Sequence, residues 1–265
     1  MNRTKIPWTD YTWNVVTGCT PISPGCEHCY AQAMARRFKW PQEVQLHPER
    51  LEEPRHLRKP SRIFVCSMSD LFHEAVDFHF IASVMGHMHQ SPHTFQLLTK
   101  RPARMLEFFE WFRRDWLGPF ASAWPKEYPN VWLGVTAENQ QQADYRIPLL
   151  LQIPAAVHFV SVEPMLSAVN LRRWLQPCGC GGLCDSGEPC PMAYNAGGLD
   201  WVIAGCESGP GKRPARVEWF RDLKDQCVAA GVPFFLKQMA SPVHAFIEHM
   251  PELDGQRWAQ YPEVR

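Results

Sequence analysis

The sequence predicts an α/β protein, a partial (β/α) barrel of six or seven parallel strands with a Cys-rich inserted loop. Three observations predict it. Apolar, β-rich runs without an internal proline recur along the chain, helical patterns separate them, and almost every run ends in a polar side chain. Runs rich in Val, Ile, Phe, Leu and Trp suit parallel strands covered on both faces. Strand–helix alternation marks βαβ units and a parallel sheet. Seven strands are too few for a complete eight-fold barrel and enough for a partial one.

The elements follow in order. A strand over 13–17 runs into a Cys-rich turn and a helix over 30–38. Strands over 62–67, 94–99, 131–135 and 157–162 alternate with helices over 78–89, 102–112 and 139–150. Residues 176–198 are rich in Cys, Gly and Pro and read as the inserted loop. A strand over 200–205 precedes a helix over 217–230, where Gly231 before Val232-Pro233 suits the C′ position. A last strand covers 233–237, so residues 1–240 form one unit and 241–265 read as a C-terminal tail.

The strand ends carry Ser67, Ser69 and Asp70; Thr99 and Lys100; Thr136 and Glu138; Ser161 and Glu163; Glu207 and Ser208; and Lys237 and Gln238. The carboxyl ends of barrel strands form the active face. Loop polarity explains any one of these residues, but six charged ends in succession make a pattern.

The chain has 265 residues, 45% of them hydrophobic, with 27 basic and 27 acidic side chains. That balance argues against a broad electrostatic grip on duplex nucleic acid and leaves a nucleic-acid substrate open. No apolar run is long enough to cross a membrane, and Met1 to Trp8 lacks a signal core, so the chain reads as cytoplasmic. Its ten cysteines are then expected as thiols, metal ligands or catalytic groups.

The first cluster is Cys19-x6-Cys26-x2-Cys29, between the first strand and the first helix. Three thiolates can hold three irons of a [4Fe–4S] cubane and leave the fourth open. An open iron is what S-adenosylmethionine chelates through its amino and carboxylate groups before reductive cleavage to a 5′-deoxyadenosyl radical. Other readings of the spacing stand beside this one: a Cys26–Cys29 redox dithiol, zinc with His28 as a fourth ligand, or unliganded thiols.

This placement resembles the radical S-adenosylmethionine superfamily, whose usual spacing is C-x3-C-x2-C after the first strand; here the first gap is three residues longer. A more detailed similarity is to a phage-associated radical-SAM-like family labelled after phage gene products thirty-seven and sixty-eight. It rests on Thr17-Gly18-Cys19, Cys26-Glu27-His28-Cys29-Tyr30-Ala31, Ser67-Met68-Ser69-Asp70-Leu71-Phe72-His73, Leu98-Thr99-Lys100-Arg101-Pro102, Val131-Trp132-Leu133-Gly134-Val135, Glu138-Asn139-Gln140, Glu163-Pro164 and Glu207-Ser208-Gly209-Pro210-Gly211. Members usually carry Asn where Cys66 stands and Gly where Cys206 stands.

The resemblance implies a radical enzyme with Cys19, Cys26 and Cys29 on the cluster. It places His28 near the adenine and Ser67, Ser69 and Asp70 near the methionine amino end. Asp70 also suits a helix N-cap. Lys100 or Arg101 would take the methionine carboxylate, and Glu138 or Glu163 the ribose hydroxyls. The glycine-rich, basic run Glu207 to Arg213 reads as an anion cradle or a tight turn, and its glycine spacing is not that of a Walker A loop.

The second cluster, Cys178, Cys180, Cys184 and Cys190, could order its loop around zinc or an auxiliary iron–sulfur cluster, or stay as thiols. The phage association points to a nucleobase or nucleotide substrate, such as an amino-acid-decorated thymine rearranged in hypermodified phage DNA in a host cytoplasm. Flavodoxin or ferredoxin would be the electron donor. The basic runs at 36–40, 55–59 and 212–216 are candidate phosphate contacts or solvated faces; the first interleaves aromatics that could stack on bases. A different class, a zinc-stabilised interaction or nucleic-acid-binding scaffold without radical chemistry, predicts colourless protein.

Overall fold

A computed structural model describes residues 1–119, 128–175, 198–209, 211–240 and 246–263. The strands are β1 (Asn2–Arg3), β2 (Tyr11–Trp13), β3 (Val16–Thr17), β4 (Gln45–Leu46), β5 (Arg62–Val65), β6 (Thr94–Thr99), β7 (Val131–Thr136), β8 (Val157–Val162), β9 (Trp201–Gly205), β10 (Phe234–Ala240), β11 (Ile247–His249), β12 (Glu252–Leu253) and β13 (Gln256–Arg257). The helices are α1 (Tyr30–Phe38), α2 (Phe78–His89), α3 (Pro102–Trp111), α4 (Gln140–Leu150), α5 (Arg172–Leu175) and α6 (Val217–Ala230).

A nine-stranded sheet runs β1-β2-β5-β6-β7-β8-β9-β10-β11. From β2 to β10 every pair is parallel, and the two outermost pairs are antiparallel. The protein is thus a mixed α/β fold around one large, mostly parallel sheet. Seven parallel strands follow chain order, and every crossover between them carries a helix.

Period-two alternation gives the sheet two different faces. Ile63, Phe95, Leu133, Val160, Val202 and Phe234 point to one side and join Met85, Phe108, Ile147 and Phe220 of the helices in the main core. Phe64, Trp132, Phe159, Trp201 and Phe235 point to the other side, where they pack with Trp8. On this second face the rows turn polar toward their carboxyl ends: Phe159, Ser161, Glu163 on β8 and beyond, and Phe235, Lys237 on β10. Gly134 keeps the row closed, because a Cβ there would sit 2.5 Å from the ring of its register partner Phe159.

Local chemistry sets the helix starts. Asp77 accepts from the His79 N–H at the head of α2, and Asn139 accepts from the Gln142 N–H at the head of α4. Pro102 opens α3, and Gly231 at φ 69 ends α6.

Two sequence expectations change. The strand expected over 13–17 is two short strands, since Asn14 turns to accept hydrogen bonds from Ser67 Oγ (3.2 Å) and Met68 N–H (3.3 Å). The expected tail instead supplies β11 and the β12–β13 hairpin, and its end covers the amino end of the second face. There Tyr261 lies 5.4 Å from Trp201 and 5.4 Å from Phe235, and its hydroxyl donates to Pro7 O. The Cys-rich insertion falls almost wholly outside the described residues. Among the described residues no helix is long and apolar enough to cross a membrane.

Candidate functional site

The first cysteine cluster leaves β3 through Gly18, which adopts φ 80 and forms a bridge with Ser69. A Cβ at Gly18 would sit 2.1 Å from the Glu43 carbonyl oxygen, so only glycine lets the loop pass that backbone. A 3₁₀ turn over Pro24–Cys26 follows, and Cys29 occupies the N-cap position of α1. All three thiols are free and half-buried, whereas Cys66, Cys206 and Cys227 are free and buried. Burial pushes Cys66 up to about 12 and Cys206 up to about 11. Burial also raises Cys19, against the opposing pull of the Arg101 guanidinium.

Three anchors hold the loop from different strand ends. Arg101, after β6, reaches Cys19 Sγ at 3.7 Å, Thr20 O at 3.0 Å and Glu74 at 3.0 Å. Asp70 fixes that arginine at 3.4 Å while accepting from Thr99 Oγ1 and the Lys100 and Phe72 N–H groups. Glu138, after β7, accepts from the Gly25 N–H at 3.2 Å and from Arg146 at 2.9 Å. A Cβ on Gly25 would come within 3.0 Å of that carboxyl carbon. Although burial opposes it, the charge of Arg146 and a hydrogen bond from Ser23 hold Glu138 below the usual carboxylate range. Glu207, after β9, meets His28 Nδ1 at 2.9 Å and Arg213 at 2.5 Å; Arg213 also pairs with Glu27 at 2.8 Å. Burial opposes ionisation of Glu207, and the Arg213 hydrogen bonds outweigh it.

These anchors frame a cavity of about 790 Å³ over the carboxyl ends of the strands. It is lined by Cys19, Cys26 and Cys29, and by His28, Ser67, Ser69, Asp70, Lys100, Glu163 and Glu207. Ten of the eleven residues expected at the cluster and cofactor site therefore converge on it; the exception is Glu138, which is 0% exposed and faces Gly25 and Arg146 instead. That position fits a structural brace rather than the expected ribose contact. Ser67 and Ser69 spend their hydroxyls on Asn14 and Val16 O. Arg101 and Arg213 are committed to the loop, so neither presents a spare guanidinium to an anion. The Lys100 ammonium has no hydrogen-bond or ion-pair partner among the described residues and faces the cavity. Lys237 pairs with Glu163 on the cavity wall, and the Tyr30 hydroxyl donates to Ser67 O.

Sequence reasoning gave Arg146 no role, read Arg213 as part of an anion cradle or a phosphate-contact run, and counted Lys237 among the polar strand ends. Lys237 carried a signal, two positions beyond Phe235 on the same face of β10. Arg146 carried none, and Arg213 turns its guanidinium to Glu207 and Glu27 rather than to an anion.

Among the described residues no group of three or more His, Cys, Asp or Glu side chains could hold a single metal ion. A cubane asks for less convergence, since each thiolate binds its own iron, whereas a zinc ion draws its thiolates to about 2.3 Å. The donor set suits the cubane: three soft, free, half-buried thiols on one cavity. Cys178, Cys180, Cys184 and Cys190 lie outside the described residues.

No curated protein and no solved structure matches the chain. A family model described as a protein of unknown function (DUF5131) matches residues 3–262. With nearly its whole length inside that match, the chain belongs to the DUF5131 family.

Proposed function

We propose that this protein is a radical S-adenosylmethionine enzyme that modifies or rearranges a nucleobase. The observation that carries the reading is the convergence of three free, half-buried thiols on one cavity of about 790 Å³ at the strand ends. A [4Fe–4S] cluster on Cys19, Cys26 and Cys29, with S-adenosylmethionine, would supply a 5′-deoxyadenosyl radical there. The chain's own groups would bind and orient. Lys100 offers an ammonium to the methionine carboxylate. Asp70 holds Arg101 against Cys19 and so sets the loop's position. His28, fixed by Glu207, presents a ring beside Cys29 for the adenine. Glu163 with Lys237 offers an acceptor and a donor to hydroxyls of the ribose or the substrate.

We read the sheet as a partial (β/α) barrel, supported by seven parallel strands in chain order and by Trp8, which touches Phe64 near one edge and Trp201 near the other. A flavodoxin or ferredoxin would deliver the electron, and phage DNA or its nucleotides would be the substrate. The Cys-rich insertion would hold zinc or an auxiliary cluster. The zinc-scaffold alternative gains no support from the first cluster, where the described residues supply no single-ion site.

The test is anaerobic reconstitution with iron and sulfide, then dithionite and S-adenosylmethionine. Formation of 5′-deoxyadenosine is expected. A colourless protein that binds only zinc and leaves the cofactor whole would overturn the reading.

A further inference from the structure

Helix α1 is unlike the other helices. None of its residues is buried, and residues 36–43 form a continuous exposed run. Phe38 is 51% exposed and Trp40 48%, and their rings stack on each other at 5.2 Å and 26°. Arg37 lies 5.4 Å over the Phe38 ring. From Tyr30 to Gln42 the chain carries three cations, Arg36, Arg37 and Lys39, and no carboxylate. None of the three is ion-paired to a described residue. The ledge is continuous with the cavity, because Gln32, Ala35 and Trp40 also line it.

A solvated helix does not need stacked aromatics at its end, and leaving two large rings in water is unfavourable. Unpaired cations beside exposed π-faces match the two features common to every single strand of nucleic acid, its phosphates and its bases. An acidic peptide would satisfy the cations and leave the rings uncovered. The chain as a whole is neutral, so the attraction is local to this ledge.

We infer that α1 and the turn after it form a single-stranded nucleic-acid platform on the cavity rim. Phe38 and Trp40 stack on bases, and Arg36, Arg37 and Lys39 contact about three phosphates. This makes the substrate of the proposed enzyme a nucleobase within a strand rather than a free nucleotide. It rests on the reading of the cavity as a nucleobase-modifying site.

The experiment is fluorescence anisotropy of the purified full chain, before and after reconstitution, with a labelled oligodeoxythymidylate of about twelve nucleotides. With three phosphates neutralised, log K should fall against log salt with a slope of about −2. R36Q/R37Q/K39N should flatten that slope; Asn is chosen because Lys39 sits at φ 54. F38A/W40A should weaken binding about tenfold or more and leave the slope alone. R58Q/K59Q, in another basic run, is expected to change neither. Absence of binding, equal affinity for a duplex of the same length, or an equal loss in R58Q/K59Q would overturn the inference. Binding without 5′-deoxyadenosine formation would uphold the platform and sink the enzyme. Formation of 5′-deoxyadenosine without binding would do the reverse.

Discussion

Glu138 and Glu163 follow neighbouring strands at the same height. Thr136 pairs in register with Ser161, and each carboxylate stands two residues further on. One is wholly buried, gripping Gly25 and Arg146 behind the cysteine loop; the other is 16% exposed and meets Lys237 on the cavity wall. Equal rank along a parallel sheet therefore does not give equal duty. One carboxylate shapes the loop that carries the thiols, and the other faces whatever enters.

The bluntest way to sharpen that contrast is to remove what both carboxylates serve. Cys26→Ala should abolish bound iron and 5′-deoxyadenosine while leaving the melting temperature near that of the parent. Retained 5′-deoxyadenosine formation would remove Cys26 from the cluster. Next in size, Glu138→Ala leaves Arg146 as an uncompensated buried charge and should cost about 3–5 kcal/mol in urea unfolding. A loss below about 1 kcal/mol would erase the distinction between the two groups.

Glu163→Gln should move stability by no more than about 1 kcal/mol. It should raise KM for S-adenosylmethionine or substrate about tenfold, a loss of roughly 1.4 kcal/mol in binding. Unchanged kinetics would mean that Glu163 is as structural as its neighbour.

The smallest effect is acid sensitivity. Glu138 is held below its unfolded value, so its stabilisation is full above the ordinary glutamate range of about 4.3 and is lost as pH falls below it. The stability gap between the parent and Glu138→Gln should therefore narrow as pH drops from about 5 to about 3. A constant gap would show that the charge of Glu138 does not matter.

The repeating parts of the fold were legible in the sequence. The apolar runs at β5 to β10 state their own period, and Gly231 marks the end of α6 by its φ alone. What was not legible depends on pairs far apart. Nothing near Glu138 announces Gly25, which lies 113 residues away, and nothing near Arg213 announces Glu27. The last segment gave no apolar run long enough to name a strand, yet Leu236 N–H donates to Trp258 O and Phe234 O accepts from Gln260 N–H. Cys66 sits at φ 57, a region that Asn tolerates better, so the turn after β5 places a cysteine where the backbone favours Asn.

The Arg213–Glu27 clasp spans 186 residues. At about 5–20 residues per second, the three thiols leave the ribosome on the order of ten to forty seconds before their clasp is made. During that interval nascent Cys19, Cys26 and Cys29 stand on an unfastened loop, open to oxidants and to stray metals. Translation speed and the redox state around the ribosome thus enter the yield of intact sites, independently of how stable the finished protein is.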